Sequence, residues 1–222
     1  MGSYSNIRYN PSMAMISKLL SKYALITDQV DKEELSIILT ELDKVLSEDI
    51  AGDVVEFGCY KGTTSLFLMR LIMEHSANKQ LWLYDSFAGL PDKTVEDDTR
   101  LGDEFKPGEL MATKAEVLRN FAHANLPRPI IKKDWFTNLT DRDVPAKICF
   151  AYFDGDFYAS IKDSFQVCQA HFAPGAVIVI DDYVNDHLPG VKRAVDEWLT
   201  KCRYKIKSVK AVSSLAVITL MI

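Results

Sequence analysis

Short β-branched and aromatic runs alternate with segments of helical apolar spacing through most of this chain, which restricts it to a largely parallel sheet flanked by helices. Residues 53–57 form the first such run and meet Gly58; residues 63–75 then carry Leu66, Met69, Leu71 and Ile72 at helical spacing. The pattern recurs as a strand at 81–84, a long polar loop, a helix at 113–124 and a strand at 130–132. It recurs again as strand 148–153, helix 159–172, strand 176–180 and helix 191–201. The last two strand-like runs, 204–209 and 215–220, are separated by 210–214 alone, too short for a helical crossover, and predict an antiparallel hairpin. The expected fold is a Rossmann-like α/β sheet of parallel strands closed by a C-terminal antiparallel hairpin, with helices on both faces. Two extra N-terminal helices, 12–25 and 33–46, precede it, the second opened by the acidic residues 31–34.

With 222 residues, 48% of them hydrophobic, the chain has the size of one domain, read as an N-terminal helical segment, 1–50, and a Rossmann-like core, 51–222. A formal charge of -5 leaves no basic excess to neutralise a phosphate backbone, so nucleic acid is not an expected partner. The longest apolar stretches, 176–180 and 215–218, fall far short of the ~20 residues of a membrane helix. Residues 1–10 lack the charged start and apolar stretch of a secretory signal, which points to the cytoplasm. Cys59, Cys149, Cys168 and Cys202 are widely spread with no CxxC pair, so neither zinc nor a disulfide framework is expected.

In an open α/β sheet, ligands sit at the carboxyl ends of the strands near the point where strand order reverses. The first strand ends in Glu56-Phe57-Gly58-Cys59-Tyr60-Lys61-Gly62-Thr63-Thr64-Ser65. Its glycines allow close backbone approach, and the amides and hydroxyls of the following helix start suit a carboxylate or phosphate. The spacing is neither GxGxxG nor GxxxxGK[ST], which disfavours a nicotinamide dinucleotide or a nucleoside triphosphate; a tight turn shaped by Gly58 and Gly62 is the structural alternative. The second strand ends at Asp85-Ser86, where an acidic side chain is placed to accept hydrogen bonds from ribose hydroxyls or, more simply, to cap its turn. Trp135 and Phe136, after the third strand, offer faces for a purine or for the core. His187 lies in a loop beyond Asp182 and reads as a solvated loop histidine ahead of a substrate contact.

Asp154-Gly155-Asp156 ends one strand and Asp181-Asp182 ends the next. If these strands are neighbours, four carboxylates meet at one sheet edge, where their repulsion calls for a cation, and hard oxygen donors favour Mg2+, Mn2+ or Ca2+. An apolar strand followed by DxD also fits a metal-dependent phosphotransferase with an Asp nucleophile. The motif sits late in the strand order for that class, and Tyr158 stands where Thr or Val is expected. A non-catalytic ligand-binding domain is the third reading.

Taken together, Val55-Glu56-Phe57-Gly58 with Gly62, Tyr84-Asp85-Ser86-Phe87 with Gly89-Leu90-Pro91, Asp154-Gly155-Asp156 with Tyr158, Asp181-Asp182-Tyr183 and residues 190–196 (GVKRAVD) resemble the macrocin O-methyltransferase (TylF) family. These are class I, S-adenosylmethionine-dependent and metal-dependent O-methyltransferases, among them sugar O-methyltransferases of natural-product biosynthesis. The resemblance runs from about residue 52 to 199. It implies Mg2+ or Mn2+ on Asp154, Asp181 and Asp182, and Asp156 as general base. It also implies that Glu56, Gly58, Gly62 and the turn of Thr63, Thr64 and Ser65 hold the methionine end of S-adenosylmethionine, with Asp85 on the ribose, and Phe57, Tyr60, Ser86, Asp134, Trp135 and Phe136 complete the expected cofactor-binding set. Tyr60 stands where many methyltransferases have a middle glycine, and Asp134 where relatives carry Gly before an aromatic. The implied acceptor is a small hydroxylated molecule, a sugar with a vicinal diol, and the amphipathic N-terminal helices give a homodimer as an expectation.

Overall fold

The computed structural model describes residues 11–101 and 105–222, so the reading of residues 1–10 as signal-free lies outside the described residues. Seven strands form one sheet in the order β3-β2-β1-β4-β5-β7-β6. Their ranges are β1 (Asp53–Phe57), β2 (Leu81–Asp85), β3 (Ile130–Lys133), β4 (Ile148–Phe153), β5 (Phe172–Ile180), β6 (Ile206–Val212) and β7 (Leu215–Leu220). The first five are mutually parallel, while β7 runs antiparallel to both β5 and β6, as the short 210–214 connection requires. Among the described residues no helix is long and apolar enough to cross a membrane.

Among the described residues there are six α-helices, α1 (Pro11–Lys22), α2 (Lys32–Ser47), α3 (Thr63–Glu74), α4 (Lys114–His123), α5 (Tyr158–Cys168) and α6 (Pro189–Lys201), with α1 packed on α2 and α3. Strand alternation sends Val54 to one face and Val55 to the other. On the first face Val54 and Val179 pack with Leu39 of α2, Leu68 of α3 and Phe121 of α4. On the second, Val55 and Ile178 pack with Phe165 of α5 and Trp198 of α6, whose rings stack at 4.3 Å. Capping boxes start two helices where the sequence provides them: Asp31 with Glu34 for α2 and Thr113 with Glu116 for α4. The extra helix α2 packs on α3, β4 and β5, which anchors the N-terminal segment to the sheet.

Two expected boundaries move. The helix over 159–172 stops at Cys168 and β5 begins at Phe172, four residues before the expected start, because Pro174 and Gly175 bulge out of the strand instead of preceding it. Ile148 faces Phe172 and Phe150 faces Val177, so the extra residues loop away from β4. The hairpin's first strand spans Ile206–Val212 instead of 204–209, because Ser213, at φ 55°, allows a two-residue turn with Ser214.

β1 lies between β2 and β4, so the crossovers leave it in opposite directions and open a crevice at its carboxyl end. Gly58 stands at that opening with φ 87°, and a Cβ there would lie 1.7 Å from the backbone oxygen of Asp154. Gly62 has φ 89°, yet its Cβ would meet nothing closer than Val117 Cγ1 at 3.4 Å. The two glycines therefore differ in what they tolerate. Gly58→Ala should destabilise the fold by about 3 kcal/mol or more, through backbone collision added to left-handed strain, and Gly62→Ala by only about 1–2 kcal/mol. Urea denaturation of the two variants measures the difference; equal losses would mean that the β1–β4 contact is softer than the geometry indicates.

Candidate functional site

A cleft of about 500 Å³ opens at the carboxyl ends of the parallel strands. From the turn after β1 it takes Gly58 and Tyr60, and from the end of β2 Asp85 and Ser86. Trp135 and Phe136 enter from the segment after β3, and all four aspartates Asp154, Asp156, Asp181 and Asp182 from the ends of β4 and β5. β4 and β5 are neighbours with Phe153 opposite Ile180, which brings the two acidic pairs together.

Carboxylate oxygens of Asp154, Asp156 and Asp182 lie within 4.8 Å of one another. The Asp181 carboxylate turns to the protein instead: it accepts the Tyr152 hydroxyl on Oδ2 and the Asp182 amide on Oδ1 at 2.8 Å, with Ser214 Oγ at 3.3 Å. Asp182 is steadied by Asn185 Nδ2 at 2.8 Å. Asp156 accepts no hydrogen bond from any described residue, and none of the four pairs with a basic side chain among the described residues. Burial first, then repulsion from the neighbouring aspartates, raises the pKa of Asp154 and Asp156 well above the usual carboxylate range and pushes that of Asp181 up to about 7, while burial and the nearby Glu34 raise that of Asp182. The residues fit a hard divalent cation: oxygen donors, close spacing and no protein cation to neutralise them.

Asp85 caps its turn, the simpler of the two roles foreseen for it, and its side chain also lines the cleft. Its Oδ1 accepts the Phe87 amide at 2.7 Å and its Oδ2 the Tyr60 amide at 2.9 Å; burial raises its pKa. The Ser86 hydroxyl closes its own turn, donating to Gly89 O and accepting from the Ala88 amide. Tyr60, Phe87, Asp156 and Asp182 all have positive φ, so four side-chain-bearing residues at the strand ends are held in the left-handed region.

Several expected cofactor residues stand behind the wall instead of lining it. Glu56 is 1% exposed and accepts Ser65 Oγ at 2.5 Å; burial pushes its carboxyl up to about 8. Phe57 is fully buried, stacked on Tyr84 at 4.2 Å and edge-on to Phe136 at 5.2 Å. Gly62 starts α3, and Thr63 bonds Thr27 of the N-terminal segment at 2.6 Å, with Thr64 also buried. Asp134 is exposed and caps the short turn after β3, accepting from the Trp135 amide and Asn138 Nδ2. His187 does not line the cleft.

The cleft also contains residues that no motif indicated. Asp28, Gln29 and Glu34 reach it from the N-terminal segment, and Ala159, Ser160 and Asp163 from one side of α5. In the sequence Glu34 read only as one of the acidic residues that open the second helix. In the fold its Oε1 also accepts Ser214 Oγ, the hydroxyl that neighbours Asp181, at 2.5 Å.

Residues 24–217 match the model of the macrocin-O-methyltransferase (TylF) family. The chain is similar to the 8-demethyl-8-(2,3-dimethoxy-alpha-L-rhamnosyl)-tetracenomycin-C 4'-O-methyltransferase of Streptomyces olivaceus, with 27% identity over 153 residues, 65% of this chain and 58% of that protein. It is also similar to the demethyldecarbamoylnovobiocin O-methyltransferase of Streptomyces niveus, 27% identical over 168 residues, 72% of this chain and 63% of that protein. The chain thus spans about three fifths of the length of these curated relatives. Among solved structures, the O-methyltransferase NovP shares the fold, with a TM-score of 0.76 at 22% identity, covering 95% of this chain and 98% of that one. With residues 24–217 of its 222 matching the family model, this chain belongs to the macrocin-O-methyltransferase (TylF) family.

Proposed function

We propose that the protein is an S-adenosylmethionine-dependent O-methyltransferase that uses a divalent cation, Mg2+ or Mn2+, and acts on a hydroxyl of a vicinal diol on a sugar moiety. The observation that carries this reading is the unneutralised group of four aspartates beside the Gly58 turn, in one cleft. The printed names of the two relatives support O-methylation and, in one case, a rhamnosyl acceptor.

When bound, the sulfonium cofactor supplies an electrophilic methyl group and the cation supplies positive charge that acidifies a neighbouring hydroxyl. The chain's own contribution is positional. Gly58 lets the cofactor approach the backbone, Asp85 offers its remaining lone pairs to ribose hydroxyls, and Trp135 presents a partly exposed ring for the base. Glu56, Phe57 and the Gly62 to Ser65 turn act from behind by fixing that wall, with Asp134 capping the turn that carries Trp135 and Phe136. Asp154, Asp181 and Asp182 would hold the cation, and Asp156, free of protein donors, would take the acceptor's proton. A second reading is favoured by the observed spacing: Asp156 joins Asp154 and Asp182 as a ligand while Asp181 stays with Tyr152.

Calorimetric titration with S-adenosylhomocysteine should give micromolar binding with and without EDTA; no binding by folded, ligand-free protein would remove the cofactor assignment. Asp156→Asn should then separate the two metal readings. As the base, it loses turnover by about 10²-fold or more with Mn2+ affinity intact; as a ligand, its Mn2+ affinity falls together with turnover, as it should for Asp182→Asn in either case.

The raised carboxyl pKa values also predict a linkage. Between the unfolded value of 3.8 and about 7 for Asp181, the folded chain holds more protons than the unfolded chain, so cation-free stability is greatest below this window and falls as pH rises through it. A cation takes the place of those protons, so added Mg2+ should raise Tm more near pH 8 than near pH 5.5. Equal shifts at both pH values would argue against binding at the aspartates.

A further inference from the structure

We infer that Asp97 is a positioning residue for Asp156, holding the turn that carries it from 61 residues away. The turn Gly155-Asp156-Phe157 is tight, with the Phe157 amide donating to Gly155 O at 2.6 Å and Asp156 at φ 59°. Its entry is fastened to the sheet, where the Asp154 amide donates to Phe57 O at 2.8 Å. Its exit is the first residue of α5, Tyr158, and the residue before it, Phe157, has no side chain able to cap the helix. Asp97 supplies the missing acceptor: its Oδ1 takes the Tyr158 amide at 2.7 Å, while Oδ2 is occupied by the Thr94 amide and hydroxyl at 2.9 and 2.8 Å.

Asp97 is 1% exposed, and an anion at a helix N-terminus is favourably placed. The packing around it accounts for a glycine as well. A Cβ at Gly190, in the first turn of α6, would stand 1.9 Å from Asp97 Oδ1, so this position in the GVKRAVD segment leaves room for the carboxylate. The same loop bears Leu90 and Pro91 on the cleft wall, and Glu96 pairs with Arg193 of α6 at 3.6 Å, so the loop, α5 and α6 meet where Asp156 is set.

The test uses the full chain and two variants that disturb this contact from opposite sides. Asp97→Ala removes the acceptor. Gly190→Ala displaces it, although alanine is the better helix former. In both, amide exchange in the segment 154–160 should quicken at least tenfold. Mn2+ affinity where Asp156 is a ligand, or turnover with Mn2+ affinity intact where it is the base, should fall at least fivefold while S-adenosylhomocysteine affinity stays within twofold, a split that general loosening of the fold would not produce. Asp97→Asn, which keeps an acceptor oxygen, should recover most of both. The Mn2+ arm rests on the proposed metal site and the exchange arm does not. Wild-type protein that binds no Mn2+ would overturn the metal reading and leave exchange to decide the role of Asp97. Unchanged exchange at 154–160 in Gly190→Ala, or equal losses of Mn2+ and S-adenosylhomocysteine affinity, would overturn the positioning role itself.

Discussion

Everything chemical in this molecule depends on the pairing of β1 with β4. Strand order reverses on either side of β1, and the backbone at Gly58 comes so close to Asp154 that a single methyl group could not stand between them. The Asp154 amide bonds Phe57 O at 2.8 Å and the Gly58 amide bonds Tyr84 O at 2.9 Å, so three strands are tied together where they end. A cleft placed there inherits its floor from backbone hydrogen bonds in the sheet, which is why its side chains can be held within a few tenths of an ångström.

The same convergence makes the site electrostatically expensive. Four aspartates share one edge without a basic partner among the described residues, and Tyr152 and Asn185 are their side-chain donors, the single Ser214 proton lying closer to Glu34 than to Asp181. Two of the four also have positive φ. Such an arrangement lowers stability wherever the carboxylates are ionised, so selection for stability alone would not assemble it. The strain and the repulsion share a location, and the proposed cation would act on both by neutralising the charges and fixing the turns that present them.

How much could be read from the chain follows from how local each signal is. The alternation of elements, the terminal hairpin and the four aspartates were legible because each is written within a few residues of an apolar run. Glu56 and Phe57 were expected at the cofactor because they precede the glycine turn. Side chains along a strand point into the layers above and below, though, and the cleft is reached by Asp85 at the very end of β2 and by Gly58 and Tyr60 in the turn beyond β1. Glu56 therefore meets Ser65 under α3, and Phe57 meets Tyr84 on the opposite face. Asp28, Gln29 and Glu34 were illegible for the opposite reason: their place in the cleft comes from α2 docking on β4 and β5, a contact of long sequence separation. Asp97 lay in a loop read only as polar, with nothing in its neighbours to connect it to Tyr158.

Asp85 illustrates why structural and functional readings of one residue need not compete. A carboxylate has about four lone-pair directions, and the Phe87 and Tyr60 amides take one on each oxygen, leaving acceptor capacity beside the cleft. The two backbone bonds fix the carboxylate plane, so what remains is aimed instead of free to rotate. They also oppose the upward push of burial on its pKa. Glu56 is the contrasting case: with one hydroxyl partner and deep burial, its carboxyl is pushed to about 8 and is largely protonated at neutral pH. Two acidic residues on adjacent strands are thereby set to different tasks, one accepting at the surface of the cleft and one neutral within its support.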